Sequence, residues 1–415
     1  MKGDRFRILI LALFAVWTLP VGCGDGVGSS GSSGSSGEVC GSLAAQTIAA
    51  PATNVQSITV NGGPEGLLNA AFTSVTVCVP GTSNCQTVAN VLVDTGSFGL
   101  RLLSSALPAS MYTTPIAGTN LGECVGFADG SYVWGPLETY DVFIAGEKAS
   151  SVPVHVLDPA FFASNIPSAC SNLIGPEEDD LTSLGANGIL GVGPIQYDCG
   201  NDCVNDALFP VGTGQVYPYY NCSALSCVET DVPLSQQVQN PVALFSTDNN
   251  GVIIELPAVS GPTASVNGSL VFGIGTQSNN GLGSAIKLTL NPNYLYSFNT
   301  VFNGTSYPYS FIDSGSSGYF FPDANIPQDV NSGFYIPTAT LNLFATNIGY
   351  NGNSSTVCFS VGNADSMFAT YPDDFVFNNL AGSATGYFDW GLPFFYGRNV
   401  YTSVTPDGNG SYWAY

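Results

Sequence analysis

Short runs of apolar and β-branched residues recur along the chain beyond residue 60, separated by clusters of Gly, Pro, Asn and Asp. Such runs, rich in Val, Ile, Thr, Phe and Tyr, suit the pleated surface of a sheet. Clear examples span residues 74–79, 88–93, 140–144, 251–256 and 269–272. Stretches with a helical period are scarce, and Pro or Gly interrupts most of them. The pattern therefore predicts an all-β protein.

The first 40 residues have the pattern of an export signal. A basic start is followed by an apolar run too short to span a membrane, so residues 1–22 are predicted to be a signal peptide. The small residue before Cys23 resembles a lipoprotein cleavage site, which would make Cys23 the lipidated first residue. A Gly/Ser tether over residues 23–40 fits an anchored domain. Ordinary cleavage, which would leave Cys23 as a spare thiol, is the alternative.

The charge balance excludes several classes of function. The chain has 7 Lys plus Arg against 30 Asp plus Glu, and its formal net charge is -23. A nucleic-acid ligand or a polybasic membrane contact requires many cations, so neither is expected. With a single histidine, His155, a His-rich metal site is excluded, and His155 in an apolar strand is expected in the core. No metal or cofactor is predicted. The scarcity of Lys and Arg also predicts tolerance of acid.

The 11 cysteines support export to an oxidising compartment. If Cys23 is lipidated, ten cysteines remain, which is enough for five disulfides. Cys78 and Cys85 flank a turn and are predicted to pair. Four more cysteines crowd a predicted loop insertion at about residues 194–239, where a zinc site is the alternative to disulfides.

One sequence pattern occurs twice. Residues 92–97 read Leu-Val-Asp-Thr-Gly-Ser, and residues 311–316 read Phe-Ile-Asp-Ser-Gly-Ser, each after a predicted strand. The chain is therefore interpreted as two related halves, an N-terminal lobe over residues 41–275 and a C-terminal lobe over residues 276–415.

The repeated pattern can carry acid–base chemistry. An apolar strand delivers Asp94 or Asp313 to a buried rim, and the following Gly allows a tight loop. Neighbouring hydroxyl groups can hold each carboxylate in plane. Two carboxyl groups that meet cannot both ionise, so they would share one proton. Such a pair can activate water and protonate a peptide carbonyl. The supporting residues of this predicted catalytic pair are Thr95, Gly96, Ser97, Ser314, Gly315 and Ser316.

With these motifs the sequence resembles the pepsin-like aspartic peptidases. Residues 188–193 resemble the family strand that threads beneath the first catalytic loop, and residues 389–395 with 398–402 resemble its counterpart. Residues 127–131 resemble the flap that closes over substrate, and residues 267–274 the strand that ends the first lobe. The resemblance implies a bilobal β fold with a central cleft and Asp94 and Asp313 as the catalytic pair. A bacterial family of secreted proteins of unknown function carries a similar signature.

Three positions depart from the peptidase pattern. The flap position that is usually tyrosine is Phe127, close to the predicted flap tip at Gly130 and Ser131. The usual tryptophan after the first Asp is Arg101, which could stack on Phe127 as a cation–π pair or bind a surface carboxylate. Phe98-Gly99 replaces a polar pair. These changes concern the substrate rim rather than the catalytic pair.

Two functions follow as expectations. The first is an exported, lipid-anchored and monomeric aspartic endopeptidase, periplasmic or at the cell surface, that hydrolyses an extended peptide or protein substrate. The alternative is a non-catalytic surface lipoprotein that binds peptide or glycan on the same scaffold.

Overall fold

The computed structural model describes residues 48–112, 120–172, 175–204, 218–292, 296–406 and 408–415. The predicted signal peptide, the Gly/Ser tether and Cys23 lie outside the described residues. Within those residues no helix combines the length and apolar character needed to cross a bilayer.

The protein is all-β, which confirms the predicted class. The strands of the described residues are β1 Val55–Asn61, β2 Ala70–Cys78, β3 Cys85–Asp94, β4 Phe98–Leu103, β5 Leu121–Gly126, β6 Tyr132–Ile144, β7 Glu147–Leu157, β8 Gly188–Val192, β9 Tyr219–Cys222, β10 Cys227–Glu229, β11 Gly251–Leu256, β12 Val266–Phe272, β13 Lys287–Thr289, β14 Phe298–Phe302, β15 Thr305–Ile312, β16 Tyr319–Phe321, β17 Leu341–Ile348, β18 Ser354–Val361, β19 Ala381–Ser383, β20 Asp389–Trp390, β21 Arg398–Ser403 and β22 Tyr412–Ala414. The α-helices are short: α1 Ser168–Ser171, α2 Leu181–Leu184 and α3 Ala364–Thr370. Single 3-10 turns occur at Ser104–Ala106, Ala109–Met111, Ala163–Asn165, Gly200–Cys203, Leu234–Gln236, Pro241–Leu244 and Leu392–Phe395.

The strands form two sheets. Within the described residues, the larger sheet has 15 strands in the order β10-β9-β5-β6-β7-β4-β8-β3-β2-β1-β12-β11-β21-β22-β13. The smaller has 7 strands in the order β18-β17-β14-β15-β20-β16-β19. Strands β21, β22 and β13 come from the second half of the chain but pair into the larger sheet. The pairing of β11 with β21, in which Ile253 faces Tyr401, thereby joins the two halves.

One arrangement of neighbouring strands occurs in both sheets. It is β7-β4-β8-β3-β2 in the larger sheet and β19-β16-β20-β15-β14 in the smaller. In each unit, the strand that leads to an Asp motif (β3 or β15) pairs in parallel with a later strand (β8 or β20). The later strand also pairs antiparallel with the strand that follows the motif (β4 or β16). It therefore lies between the two strands that flank each Asp motif in sequence. The internal similarity of the sequence thus corresponds to a repeated strand arrangement.

Apolar side chains fill the space beneath both units. Aliphatic residues dominate the first half, whereas aromatic rings dominate the second, where Phe388 stacks on Trp390 with centroids 4.4 Å apart. Trp134, Trp390 and Trp413 are all buried. Burial of such large rings supplies much of the hydrophobic stabilisation of the fold.

Disulfides tie the surface loops to this framework. Cys78 bonds to Cys85, which confirms the predicted pair. The remaining pairs are Cys124–Cys170, Cys199–Cys203 and Cys222–Cys227. Cys358 is also disulfide-bonded. Because the four cysteines of the insertion are consumed in disulfides, the zinc alternative for them is wrong.

Candidate active site

The two Asp motifs occupy equivalent turns at the ends of buried strands. Strand β3 ends at Asp94, and β4 begins at Phe98, so residues 95–97 form a tight loop. In the second half, Asp313 follows β15 directly, and β16 begins at Tyr319. Both Asp side chains are fully buried. The apolar residues before each Asp are buried in the core, and the Asp that follows them is therefore buried as well.

Each carboxyl group accepts the same set of hydrogen bonds. The Gly96 amide donates to Asp94 Oδ1 over 2.7 Å, and the Ser97 hydroxyl donates to Asp94 Oδ2. The Gly315 amide donates to Asp313 Oδ1 over 2.7 Å, and the Ser316 hydroxyl donates to Asp313 Oδ2 over 2.8 Å. These bonds fix the plane of each carboxyl group and favour its charged form.

The two loops bind each other through reciprocal hydrogen bonds. Thr95 Oγ1 donates to the Ile312 carbonyl over 2.9 Å and accepts from the Ser314 amide over 2.9 Å. Ser314 Oγ donates to the Val93 carbonyl over 2.7 Å and accepts from the Thr95 amide over 3.1 Å. The hydroxyl after each Asp therefore locks its loop onto the opposite strand.

The two catalytic candidates lie side by side. The carboxyl groups of Asp94 and Asp313 are hydrogen-bonded to each other. Gly96 makes this approach possible, because a Cβ atom there would lie 2.6 Å from the Asp313 carboxyl carbon. The structure thus brings together both predicted acids and all six of their predicted supporting residues.

Burial and mutual proximity shift the acidity of this pair. Desolvation raises the pKa of Asp94 well above its ordinary value, and the negative charge of Asp313 raises it further. Desolvation also raises the pKa of Asp313, while the hydrogen bond from Asp94 opposes that rise. Two such acids cannot both ionise at this separation, so the pair holds one shared proton and titrates as a unit.

A third acid, Asp389, accompanies the pair. It begins β20, is fully buried, and neither of its carboxyl oxygens has a hydrogen-bond partner among the described residues. Desolvation raises the pKa of Asp389 well above normal, as does the charge of Asp313, while the nearby Ser316 hydroxyl partly opposes this. Because Ser316 donates its hydrogen to Asp313, the same hydrogen is not available to Asp389. Asp389 begins the stretch 389–395 that resembles a family motif, but the sequence pattern alone indicates no role for it.

The predicted flap is a hairpin tip between β5 and β6. The Ser131 carbonyl accepts from the Phe127 amide over 2.8 Å, and Gly130 has a φ of 90°. Phe127 itself is buried in an apolar cluster, and Ser131 bonds to the side chain of Asp129. The charges of Asp389, Asp129 and Asp313 all raise the pKa of the Tyr387 phenol, after the larger effect of burial. The Tyr387 hydroxyl therefore lies within electrostatic range of both the hairpin tip and the Asp loops.

Arg101 makes neither of its two predicted contacts, a cation–π pair with Phe127 or an ion pair with a surface carboxylate. Its guanidinium is fully buried and pairs over 3.1 Å with Glu123, a buried carboxylate rather than a surface one. It also donates to the Phe98 carbonyl. Because both guanidinium Nη atoms bind partners inside the core, Arg101 neither stacks on Phe127 nor lines a substrate rim, and the assignment of Arg101 to the flap region was wrong.

Arg101 belongs to a buried polar network that sequence analysis missed. Glu123 lies 3.0 Å from the Nδ1 atom of His155, and Asp198 accepts from the Tyr219 hydroxyl over 2.7 Å. Desolvation lowers the pKa of His155 well below normal, so this histidine is neutral. It is a core residue, as expected. Register could have suggested the neighbourhood, since Arg101 and His155 face each other across β4 and β7.

Fold and site define a class: an all-β protein in which two equivalent loops supply a pair of buried, hydrogen-bonded carboxyl groups. The family model described as protein of unknown function (DUF3443) matches residues 50–415. The chain therefore belongs to this family. No curated protein matches the chain. In the described residues, no group of three or more His, Cys, Asp or Glu side chains could hold a metal ion. None of these findings assigns an activity. The resemblance to pepsin-like aspartic peptidases, inferred from the motifs, stays a prediction.

Proposed function

We propose that this protein is an aspartic endopeptidase with a pepsin-like bilobal fold. The observation that carries the proposal is the hydrogen-bonded pair Asp94 and Asp313, supplied by two equivalent loops and buried together. A carboxyl pair that holds one proton has both an acid and a base at the same point. That is the requirement for hydrolysis without a covalent intermediate.

The repeated strand units support the bilobal part of the proposal. In each half, a later strand lies between the strand that leads to the Asp and the strand that follows it. The two acids are therefore held by the same local arrangement of strands. Two such arrangements facing each other produce a pseudo-twofold site. The hairpin tip near Gly130, from the first half, supplies a cover on one side of that site.

In the proposed chemistry, the shared proton starts on Asp94 and Asp313 acts as the base. The Asp313 carboxylate takes a proton from a water molecule as the water oxygen attacks the peptide carbonyl carbon. Asp94 gives its proton to the carbonyl oxygen, which yields a neutral tetrahedral diol. When the diol collapses, its carbon–nitrogen bond breaks, the Asp313 proton passes to the leaving nitrogen, and a diol hydroxyl returns a proton to Asp94. The products are a carboxylic acid and an amine, and the pair regains its single proton.

Replacement of either acid tests the proposal. Asp94→Asn and Asp313→Asn keep the side-chain shape but remove the shared proton system, so turnover of a peptide library should fall by at least about a hundredfold. Asp373→Asn, which changes an exposed acid, is the matched control and should cleave as the parent does. Parental cleavage by both site variants would exclude the mechanism.

A statine-type inhibitor separates the enzyme from the alternative, a non-catalytic binding protein. Statines mimic the tetrahedral diol and bind through the carboxyl pair, so the parent should bind them much more tightly than either Asn variant. Peptide binding that is saturable but insensitive to a statine would favour the binding protein.

Export and lipid anchoring are part of the same proposal. They rest on the sequence of residues 1–23 and agree with the disulfide content of the described residues. In cells, Cys23→Ser should move the protein from the membrane fraction to the soluble exported fraction. Equal membrane retention of the variant would contradict lipidation at Cys23.

A further inference from the structure

A cavity of about 660 Å³, whose lining includes neither Asp94 nor Asp313, lies where β18 of the smaller sheet approaches β21 of the larger one. This volume falls within the range of about 300–1,000 Å³ typical of small-molecule sites. Four tyrosines contribute to its wall: Tyr319, Tyr396, Tyr401 and Tyr415. The cavity thus combines aromatic surface with hydroxyl groups, and one cation, Arg398, also lines it.

Arg398 is held in a fixed position in this wall. It donates to the Phe394 carbonyl over 2.6 Å, and its guanidinium carbon lies 4.6 Å from the centre of the Phe394 ring. Tyr319 is a further hydrogen-bond partner, and desolvation lowers the pKa of Arg398. These contacts occupy part of the five-donor fork and orient the rest.

Within the described residues, Arg398 has no carboxylate partner. Arg101 pairs with Glu123, and Lys148 pairs with Asp141 over 2.8 Å, so the acids of this protein do neutralise other cations. Glu255 is near in the strand register, since it faces Asn399. Its carboxylate instead accepts from the Ala49 amide over 2.7 Å and the Asn399 amide over 3.2 Å.

Arg398 is partly buried, and a guanidinium that loses hydration without gaining a counter-charge is less favourable than a paired one. In a chain with a net charge of -23, the absence of an acid at this position is informative. We propose that the cavity binds a small organic carboxylate, whose anionic end pairs with Arg398 and whose apolar body packs on the tyrosine rings. The planar fork of arginine matches a carboxylate, and the aromatic wall suits an apolar body better than it suits inorganic phosphate.

Phenylacetate is a suitable probe, with phenylacetamide as its neutral counterpart and inorganic phosphate as an anion without an apolar body. By titration calorimetry, phenylacetate should bind saturably, and the other two should bind at least about tenfold more weakly. Thermal unfolding of the parent should shift upward with phenylacetate, since a ligand of the native state stabilises it. This readout needs no variant.

Variants of the cation give the second readout. Arg398→Lys keeps the charge but loses the fork and should weaken phenylacetate binding at least about tenfold. Arg398→Gln should abolish it. Asp94→Asn should bind phenylacetate as the parent does, because the cavity is separate from the carboxyl pair. No saturable binding or thermal shift with the parent would overturn the proposal, as would parental affinity in a folded Arg398→Gln. Tighter binding of phosphate than of phenylacetate would overturn the assigned ligand class.

Discussion

At the scale of single residues, the most unusual feature is the third acid, Asp389, beside the carboxyl pair. It is fully buried, and its pKa is raised by burial and by the charge of Asp313. A group with a raised folded-state pKa stabilises the fold below its unfolded-state pKa, and that stabilisation is lost as the pH rises through the folded value. Ionisation of Asp389 should therefore destabilise the protein near neutral pH.

Asp389→Asn tests this effect because an amide cannot ionise. At pH 4.5 the free energy of unfolding should stay within about 0.5 kcal/mol of the parent value. At pH 7.5 it should rise by about 1–3 kcal/mol, the usual cost of a buried polar group that has no hydrogen-bond partner. Urea denaturation at both pH values measures it. The exposed Asp373→Asn serves as the control, and a variant with the parental pH dependence would show that Asp389 does not carry the effect.

At the scale of elements, the β5–β6 hairpin depends on a long-range cross-link. Cys124 in β5 bonds to Cys170 in α1, at a sequence separation of 46, whereas Cys78 and Cys85 are separated by only 7. A longer closed loop restricts the unfolded chain more strongly. The cross-link also holds the strand that leads to the predicted flap.

The two disulfides should therefore differ in their contribution to stability. Loop-closure entropy predicts a loss of about 4 kcal/mol for Cys124→Ser with Cys170→Ser, and of about 2 kcal/mol for Cys78→Ser with Cys85→Ser. Chemical denaturation of the two double variants gives the comparison. An equal or reversed order would mean that strain or residual unfolded structure, rather than loop length, controls these cross-links.

At the scale of the whole molecule, acids that lose hydration on folding set the pH dependence of stability. Burial is the largest cause of a raised pKa at Asp94, Glu147, Glu177, Asp179, Asp198, Asp202, Glu255, Asp313 and Asp389. Their contribution is present below about pH 4 and is lost as the pH rises through the folded pKa values. Asp141 and Asp329 have lowered pKa values and act in the opposite direction, as does His155.

More groups have a raised pKa than a lowered one, and the net charge of -23 adds electrostatic repulsion at neutral pH. The free energy of unfolding should therefore be higher at about pH 4.5 than at pH 7.5. Urea denaturation monitored by circular dichroism across this range would measure the trend. A maximum at neutral pH would contradict it and would also weaken the prediction of acid tolerance made from composition.

The sequence by itself determined what depends on nearby residues. Strand β11 has the bounds that its apolar pattern predicts, and Cys78 pairs with Cys85 across a turn. The repeat of Asp, hydroxyl, Gly and hydroxyl identified both members of the carboxyl pair. Local spacing suffices in these cases because backbone preference and side-chain periodicity are properties of short segments.

Only the tertiary structure decided which distant residues meet. Asp389 joins the carboxyl pair because β20 inserts between β15 and β16, and Arg101 lies inside the core because Glu123 on another strand receives its charge. The cavity of Arg398 exists only where two sheets approach each other. Strand order and register select these neighbours, and a pattern of polar and apolar positions specifies the face of a strand but not the partner that the face meets.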